Sequence, residues 1–146
     1  MIDAYSGIGT IGLIASKYVN SVVGVEIVKE AIINAQNNAK INNITNAKYY
    51  VDDASKFMVN YIKNNNADVV FVDPPRSGLD KKFIEALLVS TPNRIVYVSC
   101  DPSSLARDLK LLKEQYEIKS IQPVDMFPNT HHVETIVLLC LKDAKK

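Results

Sequence analysis

Val96-Tyr97-Val98-Ser99-Cys100-Asp101-Pro102-Ser103-Ser104-Leu105 is the stretch on which the reading of this chain turns. Residues 94–98 are apolar and β-branched enough for a central strand. Asp101 then fits a helix N-cap and Pro102 the first helical position, while Leu105, Leu109 and Leu112 carry an apolar stripe. Cys100 is thereby placed at the carboxyl end of a strand and beside the positive end of a helix. Ligands and chemistry collect at that edge of open α/β sheets. A helix N-terminus lowers a thiol pKa, and the thiolate is the nucleophile; the neighbouring Asp101 pushes the other way. Residue type alone favours a small buried hydrophobe for Cys100, and its position at a strand end balances that against a reactive thiol.

Outward from this stretch, strands and helices alternate. Strands are expected over 1–5, 21–27, 47–52, 67–73 and 94–99, and helices over 10–18, 29–42, 54–64, 80–90 and 103–115. Two last strands, 118–126 and 132–141, leave no room for a helix between them and are expected to form an antiparallel pair. Five β–α units followed by such a pair define an α/β fold, a seven-stranded, mostly parallel, doubly wound sheet. The 146 residues suit one domain with one core, and a hydrophobic fraction of 47% is that of a globular chain. The domain expected is the whole of 1–146. Because the chain opens inside what reads as a core strand, a piece of a longer protein is expected.

A net charge of +1 advertises no bulk attraction for nucleic acid. No segment approaches the ~20 apolar residues of a membrane span, so no membrane partner is expected. Cys100 and Cys140 are the only cysteines, and neither has a second one nearby; no metal site is expected in this chain. Free thiols point to a reducing, cytoplasmic setting.

Gly7-Ile8-Gly9-Thr10-Ile11-Gly12 matches G-x-G-x-x-G, follows a strand and opens a helix, and Glu26 ends the next strand. Glycines let backbone approach a ligand, and a carboxylate on the second strand accepts from two ribose hydroxyls. That logic serves a nicotinamide dinucleotide and S-adenosylmethionine equally. Asp53, at the end of the third strand, is read either as an acceptor for an adenine amino group or as a helix N-cap. Asp73-Pro74-Pro75 closes the fourth strand with a loop whose shape is set by proline and which lacks donors of its own. A dinucleotide fold gives no reason for such a loop, which tilts the choice toward a methyltransferase.

These residues together resemble the RNA uracil-5-methyltransferases, which make 5-methyluridine in tRNA and 23S rRNA. The resemblance runs over essentially the whole chain, through Asp3-Ala4-Tyr5-Ser6-Gly7-Ile8-Gly9-Thr10, Asp73-Pro74-Pro75-Arg76-Ser77-Gly78, Val98-Ser99-Cys100-Asp101-Pro102 and Phe127-Pro128-Asn129-Thr130-His131-His132-Val133-Glu134-Thr135. It implies a Rossmann-like S-adenosylmethionine-dependent methyltransferase fold, S-adenosylmethionine as cofactor and RNA as partner. It implies that Cys100 is the nucleophile, that Glu134 is the base, and that Tyr5, Thr10, Glu26, Asp53 and Asp73 line the cofactor site with Gly7 and Gly9 of the loop. The family often has cysteine where this chain has Ser6, and asparagine at Asp101 or Asp53. Family proteins carry preceding RNA-binding segments, a cofactor-contacting glutamine upstream and, in some, an iron–sulfur cluster there, so this chain is read as the catalytic domain alone.

Three functions follow as expectations: a uridine C5-methyltransferase domain, a cofactor-binding module inactive in isolation, or a nicotinamide-dependent enzyme. A DNA cytosine methyltransferase would place its cysteine after the fourth strand, where this chain has Asp73-Pro74-Pro75. Arg76 is read as a phosphate ligand or the partner of a nearby acid, and His131 and His132 as packing or substrate contacts. Adjacent strand residues face opposite ways, which argues against joint metal ligation by that pair.

Overall fold

Seven strands lie in the order β3-β2-β1-β4-β5-β7-β6 in the computed structural model, which describes residues 1–126, 128–130 and 133–142. The strands are β1 (Ile2–Ala4), β2 (Val22–Glu26), β3 (Ala47–Val51), β4 (Val69–Val72), β5 (Arg94–Ser99), β6 (Tyr116–Val124) and β7 (Glu134–Leu141). The helices are α1 (Thr10–Ala15), α2 (Lys29–Ile41), α3 (Ala54–Tyr61), α4 (Lys81–Ser90) and α5 (Pro102–Leu112). β1 to β5 pair in parallel, and β7 runs antiparallel between β5 and β6. The α/β, doubly wound sheet read from the sequence is therefore the one observed. The order reverses between β1 and β4, which makes their carboxyl ends the crevice of the sheet.

Alternation along the strands sorts side chains to two faces. On one, Ile2, Val70, Val72, Ile95, Tyr97, Val137 and Leu139 meet Met58, Phe83, Leu87, Leu109 and Leu112 of α3, α4 and α5 in the main core. On the other, α1 and α2 bring Leu13, Ile32, Ala35 and Ala39 around Tyr49. Gly24 of β2 is there because Tyr49 lies flat upon it: a Cβ on Gly24 would stand 2.2 and 2.4 Å from two ring carbons. Farther along that second face Val69, Phe71, Val96, Val98 and Leu138 are only half-buried.

Three helix starts are set by aspartate caps. Asp53 accepts from the Lys56 N–H at 2.9 Å, Asp80 from Phe83 at 2.8 Å and Asp101 from Ser104 at 2.7 Å, each filling an orphan donor of a first turn. Element ends differ more from the expectations. The helix expected over 10–18 is α-helical only to Ala15 and continues as a 3₁₀ turn, Ser16–Tyr18. There Ser16 Oγ donates to the Leu13 carbonyl at 2.6 Å, a side-chain bond that competes with the helical ladder. The third and fifth helices stop at Tyr61 and Leu112, where the apolar stripe ends, instead of 64 and 115. The sixth strand begins at Tyr116 and not at 118, because Tyr116 is a core residue whose hydroxyl donates to the Pro92 carbonyl at 3.0 Å. A register shift between Ile118 and Ser120 then re-aims that edge strand. The expectations for Phe127, His131, His132 and the last four residues lie outside the described residues.

Candidate active site

Cys100 follows β5 on a turn that closes on itself. Ser99 Oγ donates to the Asp101 carbonyl at 2.9 Å and accepts from the Asp101 N–H at 3.1 Å, and Ser104 Oγ reaches the same carbonyl at 3.2 Å. These bonds present the half-buried Cys100 at the carboxyl edge of the sheet. Asp101 is held below the usual carboxylate range, first by the Ser104 N–H and also by Ser103 and the Arg76 charge. It remains an anion beside the thiol.

β7 brings the carboxylate opposite. Ser99 pairs with Thr135 in the antiparallel register, so the next residues out are Cys100 and Glu134. Cys100, Glu134 and Asp73 line one cavity of 440 Å³, walled by Val98, Val124, Met126 and Ile136. The carboxyl of Asp73 is pushed up by burial and then by the Glu134 charge. The site is thus a thiol and two carboxylates at the end of an otherwise apolar slot, open to solvent on one side.

The glycine loop forms the neighbouring cluster. Glu26 binds it from β2: Oε2 accepts from the Gly7 N–H at 3.1 Å, and Oε1 from the Val28 N–H at 3.0 Å. A carboxylate oxygen accepts more than one donor, so both retain capacity for hydroxyl groups. Gly7 has φ of 53° and no atom within 4 Å of where its Cβ would stand, a backbone open to an approaching molecule. Gly9, the N-cap of α1, has φ of 86° and would drive a Cβ within 2.7 Å of the Tyr49 hydroxyl oxygen. Exposed Ile27 and Val28 continue from Glu26 as an apolar ledge. A group with a ribose and a flat apolar base fits this combination of open backbone, acceptor pair and ledge.

The remaining sequence-derived positions are spread along the same edge. Asp53 uses Oδ1 as a cap, so the capping reading describes that oxygen, and Asp53 borders a cavity with Ser55 and Asp80. Thr10 is exposed at the start of α1. Tyr5, at φ of 63°, turns its ring onto the main core, 5.8 Å from Phe83, and burial with the Asp80 carboxylate pushes its hydroxyl up to about 12. Two clusters therefore emerge, Cys100–Glu134–Asp73 and Gly7–Glu26, at one edge of the sheet.

Two buried carboxylates escaped the sequence reading. Asp3, 2% exposed in β1, accepts from the Gly12 N–H at 2.8 Å and ties the glycine turn to the sheet. Burial, outweighing that bond, pushes Asp3 up to about 6, with the Asp73 charge adding to the rise. Asp108, fully buried on α5, accepts from the Leu79 N–H and the Tyr97 hydroxyl, both at 2.8 Å. The signal for Asp108 was its place on the Leu105–Leu109–Leu112 stripe; for Asp3, a charge between Ile2 and Ala4 in a core strand.

This sheet order, with one reversed strand inserted beside β5 and the glycine turn after β1, is the Rossmann-like fold of S-adenosylmethionine-dependent methyltransferases. The chain belongs to the tRNA (uracil-5-)-methyltransferase family, which matches it over residues 1–142. It is 51% identical over 141 residues to an uncharacterized RNA methyltransferase of Lactobacillus johnsonii, covering 95% of this chain and 31% of that protein. The solved Pyrococcus abyssi tRNA (uracil-54, C5)-methyltransferase, in complex with S-adenosyl-L-homocysteine, superposes with a TM-score of 0.80 at 38% identity, over 94% of this chain and 33% of that one. TrmN of Thermus thermophilus, at 17% identity and a TM-score of 0.73, covers 97% of this chain and 43% of its own, and shares the fold. The chain thus spans about a third of the length of the curated relatives it matches. Among the described residues no helix is long and apolar enough to cross a membrane, and no group of three or more His, Cys, Asp and Glu could hold a metal ion.

Proposed function

We propose that this chain is the catalytic domain of an RNA methyltransferase that methylates carbon 5 of a uridine through a covalent adduct to Cys100. The observation that carries the reading is the single cavity lined by Cys100, Glu134 and Asp73, beside the Gly7–Glu26 cluster. Carbon 5 of uracil is a poor nucleophile. Addition of the Cys100 thiolate to carbon 6 forms a C–S bond and moves the ring electron pair onto carbon 5 and the carbonyl oxygen, as an enolate. S-adenosylmethionine bound along Gly7, Gly9 and Glu26 would supply the electrophilic methyl group for that carbon, its sulfonium–methyl bond breaking to leave S-adenosylhomocysteine. Glu134 then takes the proton from carbon 5, the electron pair re-forms the ring double bond, and the C–S bond breaks to return the thiolate. A carboxylate across an antiparallel pair from the thiol suits that task. Asp73 faces the same slot and contacts the bound base or the methyl donor, while Tyr5, Thr10 and Asp53 border the donor's side. The base must be unpaired or flipped out for its face to be attacked.

The family description and the Pyrococcus abyssi relative favour tRNA over 23S rRNA as the RNA. An RNA-modifying domain of this kind works in the cytoplasm. A second reading is a binding module that holds S-adenosylmethionine and is inactive by itself; the third-of-length match to the relatives favours it. Native mass spectrometry with S-adenosylmethionine and a 5-fluorouridine RNA separates the two, because fluorine at carbon 5 cannot leave as a proton and the thioether is trapped. An adduct in the chain that disappears in Cys100→Ala supports catalysis, and Glu134→Gln then accumulates adduct with ordinary uridine RNA. Cofactor binding without adduct selects the binding module for this chain. An adduct that survives Cys100→Ala refutes the assigned nucleophile.

A further inference from the structure

A second construction ties α5 to the loop that follows β4, and the chemistry above makes no use of it. Asp108 occupies a core position on α5, where a leucine would continue the stripe. A buried carboxylate is costly unless its oxygens are fully engaged, and here they are. Oδ2 accepts from Leu79 N–H and from the Tyr97 hydroxyl. Oδ1 accepts from Arg107, at 2.9 Å from Nε and 2.7 Å from Nη2. The same guanidinium donates back to the Ser77 carbonyl at 2.8 Å and the Leu79 carbonyl at 3.3 Å. Gly78 lies between, with φ of 76°, and a Cβ on it would stand 2.5 Å from Asp108 Oδ2 and 2.7 Å from Arg107 Nη2. Its N–H donates to the Pro75 carbonyl at 2.8 Å.

The partners of this pair are not scattered through the core. They are the backbone of the loop that leaves β4 just after Asp73, and a tyrosine of β5, the strand that Cys100 follows. The loop has two prolines, and α5 holds its backbone through two bonds from Arg107 and one to Asp108. An apolar residue at 108 would fill the same space without seizing the loop.

We propose that Asp108, backed by Arg107, is a positioning residue that holds the 74–79 loop against α5 and thereby fixes Asp73 relative to Cys100 across the cavity. The inference rests on the function proposed above. A side chain that acts only in packing would lower stability and leave the bound site unchanged. A positioning side chain changes the chemical step at saturating RNA, since displacements of about an ångström at a reacting centre cost orders of magnitude.

The test uses the full-length protein with Asp108→Asn, Arg107→Met and Arg107→Lys. Three quantities are read: affinity for S-adenosylhomocysteine, the rate of 5-fluorouridine RNA adduct formation against RNA concentration, and the rate of iodoacetamide alkylation of the Cys100 peptide by mass spectrometry. Asp108→Asn and Arg107→Met are expected to keep cofactor affinity within about twofold and RNA half-saturation within about threefold, while the saturating adduct rate falls roughly tenfold or more. Alkylation of Cys100 changes in the same variants, and Arg107→Lys, which can meet the carboxylate but not both carbonyls, lies between Arg107→Met and the native protein. Unchanged saturating rate and unchanged alkylation in both variants would overturn the proposal. Should Asp108→Asn fail to fold, the half-exposed Arg107 carries the test. Should the native protein form no adduct, the functional reading fails, and Cys100 alkylation in Arg107→Met still decides the positioning role by changing or not.

Discussion

Replacing Asp3 by asparagine should make the chain more stable at neutral pH and leave it nearly unaltered in acid. Asp3 is 2% exposed, and burial lifts its carboxyl from 3.8 to about 6 against the pull of the Gly12 N–H. A folded-state pKa above the unfolded one means that the group's contribution is complete below about 3.8 and is lost as pH rises through about 6. The two-unit gap corresponds to roughly 3 kcal/mol of ionisation penalty at neutral pH. Asparagine keeps an oxygen for the Gly12 N–H, 2.8 Å from the present Oδ2, and carries no charge to bury. Loss of the Asp3 charge also relieves Asp73, a correction of the same sign. Urea unfolding of both proteins, followed by circular dichroism between about pH 3.5 and 7.5, gives the difference in unfolding free energy directly, and shifts of the other carboxylates largely cancel. The difference should grow toward the asparagine variant by roughly 3 kcal/mol across that range. A difference that stays flat would refute the reasoning, since it would mean that desolvation does not hold the carboxyl up. The native aspartate is then a case of strain kept at a functional turn, where a charge-assisted bond to Gly12 shapes the loop at the expense of stability.

Glu26→Ala removes the acceptor of two loop N–H groups and of the proposed ribose hydroxyls. S-adenosylhomocysteine affinity by calorimetry should fall about tenfold to a hundredfold, on the scale of one hydrogen bond to a charged group; equal affinity would sink the ribose assignment. Gly24→Ala puts a Cβ 2.2 Å from the Tyr49 ring, which must then leave its buried seat on β2. A stability loss of roughly 1–3 kcal/mol is expected from such overpacking, and an unchanged urea midpoint would show that Tyr49 does not sit on that glycine.

Much of this architecture could be read locally. The apolar run 94–99 and the Asp-Pro that follows it specify β5 and α5, and Asp101 caps its helix as its place before an apolar stripe suggests. Helix ends were less legible, because they depend on where packing stops: α3 ends at Tyr61, which packs on the main core, and the polar run after residue 62 adds nothing to bury. Asp3 and Asp108 were opaque for a different reason. Carboxylates read as surface by default, and what makes them interior here is a set of backbone donors from Gly12 and Leu79, far along the chain. The candidate site was legible as a list, through the motifs around Cys100 and Glu134, but not as two clusters. That Glu26 binds the Gly7 N–H, and that Tyr5 turns toward Phe83, depend on backbone angles no spacing rule contains.

The direction of β7 decides whether the proposed chemistry has a place to occur. A parallel seventh strand beside β5 would put its first residue at the amino edge, a strand's length from Cys100. The antiparallel insertion puts Glu134, its first residue, at the carboxyl edge, one register step beyond the Ser99–Thr135 pair. A hairpin between β6 and β7 makes that reversal inexpensive, since antiparallel neighbours need no crossover helix. The same reversal brings Val124 and Met126 from the end of β6 to the cavity wall. The sheet therefore delivers a thiol from one strand, a carboxylate from its antiparallel neighbour and apolar walls from the next, all at the edge where the glycine turn and Glu26 already stand.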